Sequence, residues 1–191
     1  GELWIVYSGY FDWASRSYNT QYFPHVVMRV GRAVLLYTHT WLPALQVVDA
    51  LVVAANLALV YLIQRRRVPH ADLWSFTLLF LTMPFLAGTS WPVDLIGLPF
   101  AQAFLLWALF KPREAGLRER DDHGAFSRAR RAAVGVLLLL SMIASSVLLF
   151  NLVGDRRLYG SAGFMFWADL LALIAAYVLL ARRVPARVSV V

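Results

Sequence analysis

Apolar residues in this chain do not alternate with polar ones; they come in long runs. Five stand out, at residues 43–63, 71–87, 92–110, 132–153 and 163–181. A helix rising about 1.5 Å per residue needs roughly 20 residues to cross a hydrocarbon core about 30 Å thick, and each run covers all or most of that distance. The pattern therefore predicts five transmembrane helices. The second and third are joined only by Gly88-Thr89-Ser90, which makes them a helical hairpin. Pro84 and Pro99 lie inside it and predict local kinks of the kind a bundle tolerates. Residues 1–41 differ: they hold ten of the 27 aromatic residues and are too interrupted by polar residues to span. Within them, a short interfacial helix is predicted from Val26 to Tyr37, with Val26, Val27, Val30, Val34 and Tyr37 on one side and Arg29 and Arg32 on another.

Composition strengthens this picture. Of 191 residues, 60% are hydrophobic and 15% charged, against about 25% charged in an ordinary soluble domain. Mean hydropathy is +0.62. A soluble fold and intrinsic disorder are both excluded by such a composition. The expected fold class is an all-α integral membrane protein with about five transmembrane helices. An aromatic-rich extracytoplasmic segment (1–41) precedes the bundle (42–182), and a tail (183–191) follows it. With no cysteine in the chain, disulfides, thiolate metal sites and cysteine nucleophiles are excluded.

Charge assigns the sides, because Lys and Arg collect in cytoplasmic loops. Arg65, Arg66 and Arg67 follow the first run, seven bases from Lys111 to Arg131 follow the third, and Arg182, Arg183 and Arg187 follow the fifth. The other side receives Arg16, Arg29, Arg32, Arg156 and Arg157. Thirteen bases against five place the N-terminal segment outside and the C-terminus in the cytoplasm. The loop Lys111–Arg131 also carries four acids, which suits a solvated loop touching anionic lipid headgroups and not nucleic acid. The chain begins Gly1-Glu2-Leu3-Trp4, with no initiator Met and no signal-peptide pattern. Export of forty residues ahead of a first span fits best if further transmembrane helices, or partner subunits, precede them.

Candidate chemistry concentrates at the outer end. Carboxylates inside membrane helices are costly and are functional candidates by default. Asp49 and Asp169 each lie about six residues into a predicted helix, roughly 9 Å below its outer end, and Asp94 stands at the outer start of the third helix. A polar cavity opening outward is expected from these acids with His39, Gln46, Asn151, Arg156 and Arg157. Asp94 also fits a helix N-terminal carboxylate, and Asp49 and Asp169 also fit interhelical pairs. Asn56, and Ser141 with Ser145, suit interhelical packing. The outer arginines offer planar forks that suit phosphate, with ordinary headgroups as the alternative ligand. No Walker loop, nucleophile elbow or HExxH appears, and neither a metal nor another cofactor is expected.

Residues 81–99 read Leu-Thr-Met-Pro-Phe-Leu-Ala-Gly-Thr-Ser-Trp-Pro-Val-Asp-Leu-Ile-Gly-Leu-Pro. This stretch resembles the Pro-x-Ser-Trp pattern and the following Leu-Pro in the C-terminal half of polyprenol-phosphate-mannose-dependent mannosyltransferases, members of the GT-C superfamily of membrane glycosyltransferases. Asn19-Thr20-Gln21 and the stretch Val26 to Arg29 are similar to the Asn-Gln-Ser and Arg-containing stretch that family places before a helix. The likeness covers residues 10–110. It departs from the family where Pro92, Val93 and Asp94 stand in place of a His or Glu after the Trp, and the central Ser of the upstream motif is absent. A catalytic Asp of the family's first extracytoplasmic loop has no recognisable counterpart. The resemblance implies a membrane glycosyltransferase, or its C-terminal portion, moving mannose from a polyprenyl phosphate at the extracytoplasmic face. On that reading Asp94 is the candidate catalytic carboxylate and Trp91 stands beside it to position donor or acceptor, Arg29, Arg156 and Arg157 are candidates for the phosphate, and Asp49 and Asp169, singled out by their depth in the helices, are further candidates for substrate binding. Two other readings stand beside it: a non-catalytic accessory subunit of a larger membrane complex, and a small transporter using Asp49 and Asp169.

Overall fold

The computed structural model describes residues 20–35, 42–86, 95–111 and 124–181, and these form helices joined by short turns, without a strand among them. The helices are α1 (Phe23–Leu35), α2 (Leu42–Arg65), α3 (Ala71–Leu81), α4 (Met83–Leu86), α5 (Leu98–Phe110), α6 (Gly124–Ala144), α7 (Val147–Val153), α8 (Arg156–Ser161) and α9 (Phe164–Leu180). The all-α expectation holds. The C-terminal tail, the first 19 residues, Trp91 and Asp94 lie outside the described residues.

Helix α9 forms the axis of the bundle. It packs against α6, α5 and α3, and Ala168, Ala172, Ala175 and Ala176 let those neighbours approach closely. Trp74, Leu78, Leu105, Leu138, Phe166 and Leu173 fill the spaces between the helices. Helix α2 lies outside this core, against α3, α4 and α1. Its stretch Pro43–Arg65 spans 23 residues at mean hydropathy 2.0, with 17% of its apolar window buried inside the protein. A core helix of a soluble protein would bury most of that surface; α2 turns it outward. It is long and apolar enough to cross a membrane.

The other predicted runs appear as shorter pieces, for identifiable reasons. The run 71–87 divides at Thr82, whose hydroxyl donates to the Leu78 carbonyl at 2.6 Å, a bond that competes with the helical ladder. Pro84, lacking a backbone donor, then falls in the first turn of α4, where none is needed. Pro99 similarly sits in the first turn of α5. The prolines thus stand at helix starts and do not kink helix interiors. The run 132–153 breaks at Ser145 and Ser146 with a bend of 57°. Ser145 Oγ donates to the Ser141 carbonyl at 3.0 Å, and Ser146 caps α7 by accepting from the Leu149 N–H at 3.2 Å.

Two polar layers tie the helices together. Asn56 Nδ2 on α2 donates to Thr82 Oγ1 at 2.8 Å, and the Tyr177 hydroxyl on α9 donates to Asn56 Oδ1. Deeper between α5, α6 and α9, Gln102 Nε2 donates to Ser141 Oγ at 2.8 Å, and Ser141 Oγ donates to the Ala168 carbonyl at 2.6 Å. Asn56, Ser141 and Ser145 therefore serve as the interhelical bonds expected of them.

Candidate functional site at the α1–α8–α9 corner

Short helices leave backbone groups unsatisfied at their ends, and the corner where α8 turns into α9 has several. The segment entering α1 satisfies them. Gln21 Nε2 donates to the Gly160 carbonyl at 3.4 Å, while its Oε1 accepts from the Phe166 N–H in the first turn of α9 at 3.2 Å. Arg29 Nε donates to the Ser161 carbonyl at 3.3 Å, and its other nitrogens hold Thr20, Nη1 to the hydroxyl at 2.8 Å and Nη2 to the carbonyl at 2.5 Å. One side chain closes both helix ends, and the other locks the segment that carries it.

Packing completes the clamp. Val26 is fully buried on Gly163, where a Cβ would lie 2.4 Å from Val26 Cγ1 and where φ is +71°. Only glycine fits both the space and the left-handed backbone. The rings of Phe23, Phe85 and Phe166 form a triangle with centroids 5.3, 5.8 and 5.9 Å apart. This triangle brings the end of α4 to the start of α1 and the start of α9.

Electrostatics at the corner follow from burial. His25 is enclosed, edge-on to Tyr22 at 4.9 Å. Desolvation, with the Arg29 charge nearby, lowers its imidazole from 6.5 to about 4, so it is neutral at physiological pH. Burial lowers Arg29 to about 10, which leaves it cationic. The Tyr22 hydroxyl donates to the Asp49 carboxylate of α2, so α2 is tied to the same entry segment.

The predicted residues thus have distinct placements. Arg29, Asp49 and the first turn of α9 all meet the segment Thr20–Phe23. Arg29 faces inward, contrary to the expected exposed side of an interfacial helix, because the carbonyls of Thr20 and Ser161 draw it there. Asp169 lies one turn beyond Phe166, is fully buried, and has no hydrogen-bond partner at either carboxylate oxygen. Arg157 is exposed on α8, its N–H capped by Asp155 Oδ1 at 2.7 Å. Arg156 begins α8, and its side chain is not among those described. Gln46 and Asn151 are exposed. Of the residues that sequence reasoning did not assign, Gln21 had a visible signal in its place between Thr20 and the Arg29 helix. Gln102, a lone amide in an apolar run, was also a signal. His25 had none. Among the described residues no group of three or more His, Cys, Asp or Glu is placed to hold a metal ion.

Compared with protein-family models, curated proteins and solved structures, the chain matches none.

Proposed function

We propose that this chain is a multi-pass membrane protein and forms the C-terminal part of a glycosyltransferase that moves mannose from a polyprenyl phosphate at the extracytoplasmic face. The observation that carries the reading is the meeting of its two resembling stretches. Thr20, Gln21 and Arg29 belong to one and Phe85 to the other, and they are joined across about sixty residues by the Phe23–Phe85–Phe166 triangle. Two unrelated stretches have no packing reason to carry the same family's pattern and also share a corner. That corner stands at the end opposite the basic loops, so the positive-inside rule makes it extracytoplasmic. Membrane embedding is supported by side chains more than half exposed on five helices: Leu51, Phe76, Phe100, Leu139 and Leu148. Large apolar side chains exposed on so many helices are rare in water and ordinary in lipid.

In this mechanism Asp94, eight residues beyond Leu86, takes a proton from the acceptor hydroxyl as it attacks the sugar's anomeric carbon. The phosphate leaves with the bonding electron pair, and Arg157 stabilises its charge from the exposed face of α8. Arg29 contributes by fixing the corner and does not itself hold phosphate. Membranes expressing the complete gene product should transfer radiolabelled mannose from polyprenyl phosphate. Asp94→Asn should lower transfer about a hundredfold or more, and Arg157→Ala about tenfold. Unchanged transfer in both variants would remove these residues from the site. Stoichiometric co-purification with other membrane proteins, without any transfer, would make the chain an accessory subunit instead.

A further inference from the structure

The end of the bundle away from the candidate site is basic and grooved. Arg65, Arg66 and Arg67 close α2 and lead into α3, whose preceding His70 meets Trp107 near the end of α5 at 5.2 Å. Lys111 caps α5, Leu109 approaches Gly135 of α6, and Arg128, Arg130 and Arg131 occupy the N-terminal half of α6. Among the described residues, seven bases collect here against one acid, Asp72. Between α6 and α9 at this end runs a shallow groove, open along its length, lined by Ala129, Arg130, Ala133, Tyr177, Val178 and Ala181. The small side chains of Ala129, Ala133 and Ala181 are what leave it open. Tyr177 is fixed as one wall by its bond to Asn56, and Arg130 Nη2 donates to the Val178 carbonyl, which holds the guanidinium at the groove.

We propose that this groove binds one anionic phospholipid of the cytoplasmic leaflet, its phosphate at Arg130 and an acyl chain along Ala129, Ala133 and Ala181. The two halves of the ligand answer two separate features. A lining of methyl groups, a tyrosine ring and a valine selects hydrocarbon, so a free phosphate ion does not suit it. A guanidinium bonded to a neutral carbonyl keeps its positive charge, and the surrounding bases add to the field, so a zwitterionic headgroup is the poorer match. Basic pockets between helices on the cytoplasmic side suit anionic headgroups for this reason. The proposal rests on the membrane reading above, but not on catalysis.

The test uses the full chain in nanodiscs of mixed phosphatidylglycerol and phosphatidylcholine, with bound lipid counted by native mass spectrometry after release. Resistance to alkaline extraction from cell membranes is scored first. A chain released by alkali ends both the membrane reading and the groove. For an integrated chain, one retained phosphatidylglycerol is expected. Arg130→Gln should reduce its retention about fivefold. Ala133→Leu, at an exposed position where a larger side chain disturbs no core, should block the acyl chain and abolish retention. Arg66→Gln, at the same end but outside the groove, removes only a share of the surrounding field and should lower retention less than Arg130→Gln does. Equal retention of phosphatidylcholine, insensitivity to Ala133→Leu, or displacement by polyprenyl phosphate at lower concentration would each overturn the proposal.

Discussion

Gly163 and His25 show how one residue sets the corner. A methyl group at position 163 meets Val26 Cγ1 at 2.4 Å and also forces a side chain onto a backbone at φ +71°. The two penalties act on the same substitution, so Gly163→Ala should cost about 1–3 kcal/mol. The loss is measurable as a lower thermal midpoint of the detergent-solubilised protein, and an unchanged midpoint would show that α1 does not seat on Gly163. His25 predicts a pH effect. Its imidazole titrates at 6.5 when the chain is unfolded and at about 4 in the folded corner, so the unfolded state binds the extra proton between those values. Stability is then full above about 6.5 and falls as pH drops toward 4, by on the order of 3 kcal/mol at most. His25→Phe, which keeps an aromatic edge against Tyr22 and removes the titration, should flatten that dependence of the thermal midpoint. Neither role was legible in the sequence: Gly163 acts through Val26, about 140 residues away, and a lone histidine carries no pattern that announces its burial.

At the scale of elements, apolar periodicity located the helices but not their breaks. The run 132–153 predicts one straight helix, since Ser141 and Ser145 at a four-residue spacing suit helix packing as well as they suit a hinge. The structure uses Ser146 as an N-cap instead, its backbone extended and its hydroxyl accepting from the Leu149 N–H. The same limit applied at Thr82, whose back-bond to Leu78 is invisible in a hydropathy profile. Replacing both Ser145 and Ser146 by Ala removes the cap and supplies strong helix formers. The 57° bend should then open. Spin labels on cysteines introduced at the exposed Leu139 and Leu152 report it cleanly, because the chain has no cysteine of its own. Their backbone separation should lengthen toward the about 20 Å of thirteen residues in a straight helix; an unchanged separation would mean that tertiary packing, not the serine pair, sets the bend. The interhelical layers were more legible, since Asn56 and Ser141 are polar residues inside apolar runs. Tyr177→Phe should cost about 1 kcal/mol by taking the donor from Asn56.

For the whole molecule, the distribution of charge and the distribution of exposed apolar surface come from different residues, yet both fit several crossings. The bases gather where α2, α5 and α9 end and α6 begins, while large exposed apolar residues lie along every helix from α2 to α9. Among the described residues only α2 meets the length of a span as one unbroken helix, so the number of crossings turns on whether the shorter pieces cross in combination. The reach of α9, 17 residues or about 26 Å, and of α3 with α4 is close to the needed thickness. The two arrangements make opposite predictions for a pair of positions. With five crossings, Arg66 and Arg157 are separated by three and lie on opposite sides. With α2 alone crossing, they share one side. In intact cells, a single cysteine introduced at Arg157 should react with a membrane-impermeant maleimide, and one introduced at Arg66 should react only after permeabilisation. Labelling of both, or of neither, in intact cells would put the two positions on one side, which rules out five crossings and places the groove and the candidate corner on the same face if α2 alone crosses. The phospholipid and the lipid-linked sugar would then no longer be assigned to opposite leaflets.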